Sequence, residues 1–447
     1  MRAGIRTGET VKEQTVAVVS LGCAKNLVNS EQMMFLLNEA GYAVTGDTLG
    51  ADAVVVNTCC FIESAKAEAI ETILELGLEK EEGRIKKIIA AGCLPERYKT
   101  EVLNELPEID AIVGVGAFDD IVSVVGSVFG GSAKHEAFGD IDAPVSETPR
   151  VITTSKIWTY LKIAEGCDNR CAFCVIPGIR GRFRSRPLEH IIREANDLAQ
   201  RGTKEIIIVA QDVTRYGLDL YGKRRLADLL DGLSGITGLE WIRLHYLYPD
   251  EIDDSLIRTI ADNRKILNYL DIPIQHINDG VLKKMRRRGS GSEIRALFKR
   301  LRERVPGLVL RTSVITGLPG EGEQEFEELC GFLREAGIER AGVFPYSPEE
   351  GTDAASMPFA DAETAARRAE IIADIQMGII DEFNSSRIGS ILPVLIEGHS
   401  EGVFYGRSYA ESPDIDGYIE VKGKDIKAGT IIDVRITGPE TGEVFVK

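Results

Sequence analysis

The sequence lacks any apolar run of transmembrane length, and its first 14 residues contain no apolar segment of the kind found in secretory signals. We therefore expect a cytoplasmic protein with no membrane partner. Cysteine is also scarce. Eight cysteines in 447 residues are too few for a disulfide scaffold, and in a reducing compartment they favour metal ligation. A membrane protein and a disulfide-rich secreted domain are both disfavoured.

Basic residues are the minority among the charged ones. The chain has 53 Lys and Arg against 70 Asp and Glu, a net charge of −17. A charge of this sign repels a nucleic-acid backbone and attracts a basic partner, although a local basic patch would override it. One basic run, residues 283–288, has the sequence Lys-Lys-Met-Arg-Arg-Arg. We interpret it as a solvated helix face, with RNA phosphate contact as the alternative.

Hydrophobic patterning predicts an α/β protein of three domains and one linker. Over residues 15–130, Val and Ile runs separated by helical patterns indicate a buried parallel sheet. Its candidate strands are residues 15–20, 53–57, 87–91 and 111–115. Residues 131–150 lose this periodicity and are interpreted as a linker. Residues 384–447 are Gly-rich and alternating, which predicts a small antiparallel β-barrel.

The central block, residues 151–383, repeats a strand-then-helix alternation. Its candidate strands are residues 159–164, 205–210, 241–246, 269–274, 309–315 and 340–344. These six units predict a partial (βα)6 barrel that is not fully closed, with its chemistry at the C-terminal ends of the strands.

Three cysteines follow the first of these strands with the spacing C-x3-C-x2-C: Cys167, Cys171 and Cys174. Thiolates are the usual ligands of a cubane iron–sulfur cluster, which needs four ligands, so three leave one iron open. The spacing resembles the radical S-adenosylmethionine signature, in which the open iron binds that cofactor. Phe173 fits the same pattern, since an aromatic there covers the cluster and the adenine. A structural zinc knuckle is the alternative, but the next histidine, His190, is 16 residues beyond Cys174.

A second group of cysteines follows the predicted strands of the N-terminal sheet. Cys23 follows the first strand, Cys59 and Cys60 the second, and Cys93 the third. The carboxyl ends of parallel strands share one edge of a sheet, so these residues converge on one predicted metal site. Neighbours in extended backbone point to opposite faces, so only one of Cys59 and Cys60 is a ligand. Cys330 lies in a helical stretch and is interpreted as a packing residue.

Four stretches of sequence together resemble the methylthiotransferases, radical enzymes with two iron–sulfur clusters. They are Ser-Leu-Gly-Cys-Ala-Lys-Asn-Leu-Val-Asn-Ser-Glu at residues 20–31, Asn-Thr-Cys at 57–59, Ala-Gly-Cys-Leu at 91–94, and the barrel cysteines. Residues 22–28, 180–187 and 406–417 are similar to the RimO type, which modifies an aspartate of ribosomal protein S-twelve. The alternative is the tRNA-modifying MiaB type. A non-catalytic redox scaffold is disfavoured, because an electron carrier gains nothing from a vacant iron.

The resemblance implies two [4Fe–4S] clusters and S-adenosylmethionine as cofactors. Cys167, Cys171 and Cys174 would hold the radical cluster; Cys23, Cys59 and Cys93 would hold the second, with Asn-Thr-Cys favouring Cys59 over Cys60. It also implies sulfur insertion at an aspartate β-carbon, with the small ribosomal subunit, an electron donor and a sulfur donor as partners. The chain departs from the family pattern at three positions, none of them a cluster ligand: Asn29, Cys60 and Gly322.

Two further polar residues lie at or within predicted barrel strands. Gln211 ends one strand and Arg311 lies in another. Hydrogen bonds from an amide and carboxylate pairing by a guanidinium make them candidate contacts of S-adenosylmethionine. The alternative is that they are ordinary polar residues closing a strand.

The C-terminal block carries a charge that bears on the substrate. Residues 384–447 contain seven Lys and Arg against ten Asp and Glu, a net of −3. A barrel that follows RNA is expected to be basic, whereas an acidic one attracts a basic ribosomal protein. Glu411, Asp414 and Asp416 are therefore predicted to form part of a docking surface.

Overall fold

Two units make up the chain, divided between Val151 and Ile152. The structure is a computed structural model, and it describes residues 14–131 and 134–445. Within those ranges, no helix is both long enough and apolar enough to cross a bilayer.

The first unit is built on a parallel sheet of six strands. They are β1 (Thr15–Ser20), β2 (Ala43–Thr45), β3 (Ala53–Thr58), β4 (Lys87–Gly92), β5 (Ala111–Val113) and β6 (His135–Ala137). Their order is β2-β1-β3-β4-β5-β6. The β3 sequence Ala-Val-Val-Val-Asn-Thr is buried at every position, as expected for a central strand covered on both faces. The parallel sheet predicted from the sequence is confirmed.

Helices of the described residues connect these strands. They are α1 (Ala24–Glu39), α2 (Glu63–Glu81), α3 (Cys93–Tyr98), α4 (Thr100–Glu105) and α5 (Ile121–Phe129), with a 3-10 turn at Val115–Asp120 before α5.

The predicted linker, residues 131–150, contains structure that the sequence pattern did not indicate. Its strand β6 pairs in parallel with β5, with Ile112 opposite Glu136. Farther along, Arg150 forms a buried ion pair with Glu31 of α1, and Thr148 O accepts a hydrogen bond from Gln32 Nε2 at 3.1 Å. The segment is therefore attached to the first unit.

The second unit begins with a parallel sheet of six strands in the order β14-β13-β12-β11-β10-β7. They are β7 (Trp158–Lys162), β10 (Glu205–Val209), β11 (Trp241–Leu244), β12 (Ile266–Asp271), β13 (Val309–Thr316) and β14 (Arg340–Pro345); an antiparallel pair, β8 (Ala164–Glu165) and β9 (Arg184–Ser185), flanks them. All six predicted strands are present. In the described chain β7 and β14 form the two edges, so the barrel is partial, as predicted.

The described part of this unit, residues 152–445, contains nine helices: α6 (Ile176–Arg180), α7 (Leu188–Gln200), α8 (Leu218–Tyr221), α9 (Leu226–Ser234), α10 (Asp254–Asp262), α11 (Asp279–Lys284), α12 (Gly291–Arg304), α13 (Glu323–Ala336) and α14 (Ala362–Ser386). Short 3-10 turns occur at Val213–Arg215, Pro249–Glu251 and Ala354–Ser356. Apolar faces of the helices pack on the sheet in one large core, which includes Cys330 of α13. The packing role predicted for that cysteine is confirmed.

The chain ends in a closed five-stranded barrel in the order β15-β16-β17-β19-β18. Its strands are β15 (Ile391–Ser400), β16 (Val403–Arg407), β17 (Ile419–Lys422), β18 (Ile431–Gly438) and β19 (Thr441–Val444). Four pairings are antiparallel, and the β17–β19 pairing is parallel. Because β19 returns from β18 in a hairpin, it reaches β17 running in the same direction.

Buried charges join this closed barrel to the six-stranded sheet. Arg407 Nη2 donates to Glu205 Oε2 at 2.7 Å, and its Nε forms an ion pair with Glu397. On the sheet side, Arg243 Nε donates to Glu205 Oε1 at 2.7 Å, and its Nη1 donates to Tyr409 O at 2.8 Å. The side chains of Glu205, Arg243 and Arg407 are fully buried. Burial opposes the charge of Glu205, but the two arginines lower its pKa.

Two of the three acidic residues predicted to dock a partner lie inside this interface instead. Glu411 is 3% exposed, accepts hydrogen bonds from Ser408 and pairs with Arg387. Asp416 accepts a hydrogen bond from Tyr269 Oη at 2.7 Å. The docking prediction is therefore wrong for Glu411 and Asp416, because their carboxylates are used to hold the C-terminal barrel. Asp414 is exposed.

Candidate cluster-binding sites

The N-terminal cysteines lie at the carboxyl ends of three adjacent strands. Cys23 follows β1 as the N-cap of α1, Cys59 follows β3 directly, and Cys93 follows β4 as the first residue of α3. The strands β1, β3 and β4 are neighbours in the sheet. The common edge expected from the sequence is therefore present.

Close backbone contacts bring these three strand ends together. Gly22, with φ of +84°, has no room for a side chain, since a Cβ there would lie 2.9 Å from Cys59 Sγ. The segment carrying Cys23 therefore lies directly against Cys59. On the other side, Leu94 N donates to Thr58 Oγ1 at 3.2 Å, which ties the start of α3 to the end of β3.

An asparagine pair clamps the same edge. Asn26 Nδ2 donates to Leu21 O at 2.8 Å and to Thr58 O at 3.2 Å. In return, Asn57 Nδ2 donates to Asn26 O at 2.9 Å and to Ser30 Oγ at 2.8 Å. Sequence reasoning did not identify this clamp. Its signal was the spacing of Asn26 and Ser30, four residues apart and hence on one face of α1.

Cys60 lies beside the candidate ligands. It is fully buried, and its carbonyl accepts a hydrogen bond from Arg97 Nη1 at 3.0 Å. Burial, with the nearby thiols of Cys93 and Cys59, raises the pKa of its thiol far above the usual value. The choice of Cys59 over Cys60 as ligand stays a prediction.

The barrel cysteines occupy one loop that begins just after the short strand β8. Gly166, at the start of the loop, has φ of +78°, and a Cβ there would lie 2.0 Å from Arg182 O. Cys167 N donates to Gly181 O at 3.1 Å in the same crossing. Only glycine fits this position, so the entry of the loop is fixed by backbone against backbone.

Three hydrogen bonds hold the rest of the loop. Asn169 Nδ2 donates to Asp212 Oδ2 at 2.8 Å, which links the loop to the segment after β10. Ala172 N donates to Met285 O at 3.0 Å, and Ala172 O accepts from Ala354 N at 2.9 Å. The cysteines are thus presented by a loop with contacts to three separate parts of the barrel.

A buried group of charged and polar side chains surrounds Glu165, which directly precedes the loop. Glu165 accepts hydrogen bonds from Lys162 Nζ at 3.0 Å, Gln211 Nε2 at 2.6 Å and Arg180 Nη1 at 3.3 Å. Burial alone would raise the pKa of Glu165, but Lys162, Arg180 and Gln211 together hold it well below its usual range. The carboxylate is therefore ionised at neutral pH.

The residues of this loop fit an iron–sulfur cluster with a small polar ligand. The donor set is three thiols, the ligand type that such clusters take. Two buried oxygens of this region, Asn169 Oδ1 and Gln211 Oε1, have no hydrogen-bond partner among the residues that the structure describes. Buried polar atoms normally have partners, so these two are available to a bound group.

The spacing of the cysteines differs from that of a single-ion site. Among the residues that the structure describes, no three His, Cys, Asp or Glu side chains are spaced to hold one metal ion. A cubane does not require such spacing. Each of its irons takes one thiolate, so its three sulfurs lie farther apart than ligands that share one zinc.

In the protein without a bound metal, the thiols of Cys167 and Cys174 favour the neutral, protonated form. Burial raises the pKa of Cys167 to about 11, and burial with the neighbouring Cys171 raises that of Cys174 further. Iron ligation therefore has to displace these protons, because a coordinated thiol is deprotonated.

The three predicted cofactor contacts have different surroundings. Phe173 packs against the apolar cluster of Val281, Met285, Leu318 and Tyr346 beside the cysteine loop. Gln211 donates an amide N–H to Glu165, as described above. Arg311 Nη1 donates to the buried Asp271 Oδ1 at 2.9 Å. Burial opposes the charge of Arg311, but Asp271 raises its pKa.

The basic run at residues 283–288 is not simply a solvated helix face. Arg287 and Arg288 both lie over the ring of Tyr248, with Cζ at 4.1 Å and 4.7 Å from its centroid. Arg287 Nη1 also lies 3.8 Å from Cys171 Sγ. Arg286 pairs with Asp353 outside this group. Local charge patterning could not reveal these contacts, because they depend on where the loop before α12 turns.

Three family profiles match successive parts of the chain. The first is "Uncharacterized protein family UPF0004" over residues 15–114, the second is "Radical SAM superfamily" over residues 161–333, and the third is "TRAM domain" over residues 388–445.

Curated relatives match nearly the whole chain. The ribosomal protein uS12 methylthiotransferase RimO of Lachnoclostridium phytofermentans is 47% identical over 426 residues, which cover 94% of this chain and 96% of the relative. The protein of the same name from Caldanaerobacter subterraneus is 48% identical over 426 residues, covering 95% and 97%. The chain belongs to the RimO family of methylthiotransferases. The resemblance found in its motifs is thereby confirmed.

Solved structures similar to this RimO-family chain include TsrM from Kitasatospora setae, a radical S-adenosylmethionine methyltransferase. TsrM is 13% identical with a TM-score of 0.56, covering 93% of this chain and 84% of that one. The cobalamin-dependent S-adenosylmethionine radical enzyme OxsB is 14% identical with a TM-score of 0.52, covering 82% and 56%. At this identity the two likenesses show the fold alone.

Proposed function

We propose that this chain is a radical methylthiotransferase that inserts a methylthio group at the β-carbon of an aspartate in uS12, the ribosomal protein S-twelve of the sequence analysis. The observation that carries the proposal is identity of 47% over 94% of the chain with a methylthiotransferase of that substrate. The loop after the first barrel strand adds support, since its three cysteines are suited to bind the cluster that this reaction needs.

An aspartate β-carbon has no proton acidic enough for a side-chain base to remove at a useful rate. When bound, two [4Fe–4S] clusters and S-adenosylmethionine supply a radical that abstracts the hydrogen, together with the sulfur and the methyl group that are added. The protein then has to hold, orient and shield these groups.

Each part of that task falls to named residues. Cys167, Cys171 and Cys174 hold the radical cluster, and Cys23, Cys59 and Cys93 hold the second cluster.

Beside the radical cluster, Gln211 and Arg311 orient S-adenosylmethionine, and Phe173 covers it. Glu165 fixes the amide of Gln211 by accepting its N–H at 2.6 Å, which leaves the buried Oε1 free to accept from the cofactor. Arg311 keeps further N–H groups beyond its bond to Asp271, since a guanidinium has five.

Partners and domain limits complete the proposal. The substrate is met on the small ribosomal subunit in the cytoplasm, and a reducing electron donor and a sulfur donor serve the reaction. The domains are residues 15–130, 151–383 and 384–447, with residues 131–150 between the first two.

The substrate is tested by mass. The reconstituted protein is incubated with S-adenosylmethionine and reductant, once with small ribosomal subunits that lack the modification and once with unmodified tRNA. We expect a gain of one methylthio group on uS12 and none on tRNA. A gain on tRNA alone would overturn the proposal in favour of the MiaB type.

The two cysteine groups are tested separately by iron content and by cofactor cleavage. Alanine at Cys167, Cys171 and Cys174 should remove about half of the roughly eight iron atoms of two cubanes and abolish 5′-deoxyadenosine. Alanine at Cys23, Cys59 and Cys93 should also remove half of the iron but leave 5′-deoxyadenosine formation intact, without methylthiolation. A triple variant with full iron content would show that its cysteines are not a cluster site. A Cys60→Ser variant tests the choice between Cys59 and Cys60, and it should retain full iron.

A further inference from the structure

Arg287 has three contacts that fix its guanidinium against the cysteine loop. Its Nη1 lies 3.8 Å from Cys171 Sγ, and its Nη2 donates to Pro273 O at 2.5 Å. The guanidinium also lies over the ring of Tyr248, with Cζ 4.1 Å from the ring centroid. One donor is therefore held towards a thiol while the other donor and the π-face act as anchors.

The two sides of this contact are linked through the backbone as well. Ala172, next to Cys171, donates its N–H to Met285 O at 3.0 Å, two residues before Arg287. Tyr248 is fixed in turn, since its N–H donates to Thr214 Oγ1 at 3.3 Å and its hydroxyl accepts from Arg288 N at 3.4 Å. The guanidinium and the thiol thus keep their relative position without help from a bound ligand.

We propose that Arg287 is a positioning residue that donates to the Cys171 thiolate and raises the reduction potential of the barrel cluster. The inference rests on the proposed function, because it takes the cysteine loop as the site of that cluster. One electron from an external low-potential donor adds one negative charge to the cluster and its three thiolates, and no proton moves. A guanidinium is always positive, so it stabilises the reduced form more than the oxidised form.

The test is the midpoint potential of the barrel cluster, measured by a redox titration followed by electron paramagnetic resonance. The parent is the full chain with alanine at Cys23, Cys59 and Cys93, so that one cluster gives the signal. We expect Arg287→Gln to retain the iron of its parent and to lower the one-electron equilibrium constant about tenfold, which is about 59 mV towards negative potential. Arg287→Lys, which keeps the charge without the fork, should fall between the two.

Arg286→Gln is the matched control, because it removes the same charge from the adjacent residue. The Arg286 side chain is 57% exposed and pairs with Asp353 instead of meeting the cysteine loop. It should keep the potential of the parent. An unchanged potential in Arg287→Gln with full iron would overturn the inference, and so would an equal shift in Arg286→Gln.

A second pair of variants tests the anchor. Tyr248→Phe keeps the ring under the guanidinium and should keep the potential, whereas Tyr248→Leu removes the ring and should lower it in the direction of Arg287→Gln. Equal potentials in these two would contradict the stacking role. A parent that binds no iron would instead overturn the cluster site, and the inference with it.

Discussion

Gly166 and Glu165 show how the entry to the cysteine loop is fixed by two neighbouring residues in different ways. The glycine lets one backbone segment cross another at a distance that no side chain tolerates. The glutamate collects the charges of Lys162 and Arg180 in a buried ion group. Neither residue is a candidate ligand, yet both determine where the ligands are.

Gly166→Ala should destabilise the protein by about 3 kcal/mol, because the left-handed backbone is strained by a Cβ that also meets Arg182 O. Gly178→Ala is the control: Gly178 is exposed in α6, and outside the backbone of that helix and the two chain neighbours no described atom lies within 4 Å of the Cβ added there. That control should stay within about 0.5 kcal/mol of the parent. Denaturant unfolding of the cluster-free chain measures both, and equal midpoints would contradict the argument.

Glu165→Gln should cost about 3–5 kcal/mol at neutral pH, since it leaves two buried cations without a carboxylate. The size of this destabilisation should depend on pH. The pKa of Glu165 is lowered in the folded protein, so its stabilising charge is fully present above its usual value of 4.5 and is lost as pH falls towards the lowered value. The stability difference between parent and variant should therefore narrow below pH 4.5. A difference that stays constant down to pH 3 would refute this account.

The grouping of the cysteines was predictable from sequence, because three fall within eight residues and those of the first unit each follow an apolar run; their role as cluster ligands stays a prediction. Arg287 was not predictable in the same way. Its neighbours in sequence, Arg286 and Arg288, carry the same charge, and only the turn after α11 decides which of the three meets the cysteine loop. The direction of a long side chain is set by tertiary contacts that a charge pattern does not contain.

At the scale of elements, strands with an apolar run were predicted, including the three-residue β5, whereas a short strand without such a run was missed. The six barrel strands were all predicted, since each is followed by a stretch with helical periodicity, and β7, β10 and β11 are buried at every position. Strand β6, by contrast, is His-Glu-Ala at residues 135–137, three residues with no apolar period, and it pairs only because β5 offers an edge. Likewise, the acidic residues of the C-terminal barrel gave no sign of which carboxylates are buried, because a net charge counts exposed and paired groups alike.

The Arg407 cluster offers a test of how the C-terminal barrel is held. Arg407→Met should cost about 3–5 kcal/mol, because Glu205 and Glu397 stay buried without it. Lys422→Met, on an exposed position of β17, is the control and should be within about 0.5 kcal/mol of the parent.

Adding Glu397→Gln to Arg407→Met should recover part of the loss, since it removes the carboxylate that Arg407 had paired, whereas Glu205 keeps Arg243. A double-mutant cycle from thermal or denaturant unfolding gives the coupling. Additive costs would mean that the two side chains do not interact in solution.

For the whole molecule, docking of a basic substrate has to use acidic residues outside the buried interface. Glu420, Asp433 and Glu440 are exposed on the C-terminal barrel. Reversing all three to Lys should weaken association with uS12 about tenfold at low salt, from about 0.5 kcal/mol for each exposed charge. Raising the salt should reduce the affinity of the parent in the same direction.

The control for these reversals changes the same net charge elsewhere. Glu68, Glu71 and Glu75 are exposed on α2 of the first unit, and their reversal to Lys should leave uS12 binding near that of the parent. Binding by light scattering or surface plasmon resonance, and mass gain on uS12, measure both variants. Equal weakening in the two would mean that only net charge matters, and tighter tRNA binding with tRNA turnover would favour the MiaB type.

The buried contacts around Arg407 also bear on efforts to retarget such enzymes by exchanging domains. Arg407 pairs with Glu205 of the sheet, and Tyr409 O accepts a hydrogen bond from Arg243 of the sheet. A C-terminal barrel taken from another enzyme would lack these matching partners. A working chimera would have to transplant both halves of the interface. The last 64 residues form a compact barrel, but they cannot be exchanged independently of the sheet residues that they contact.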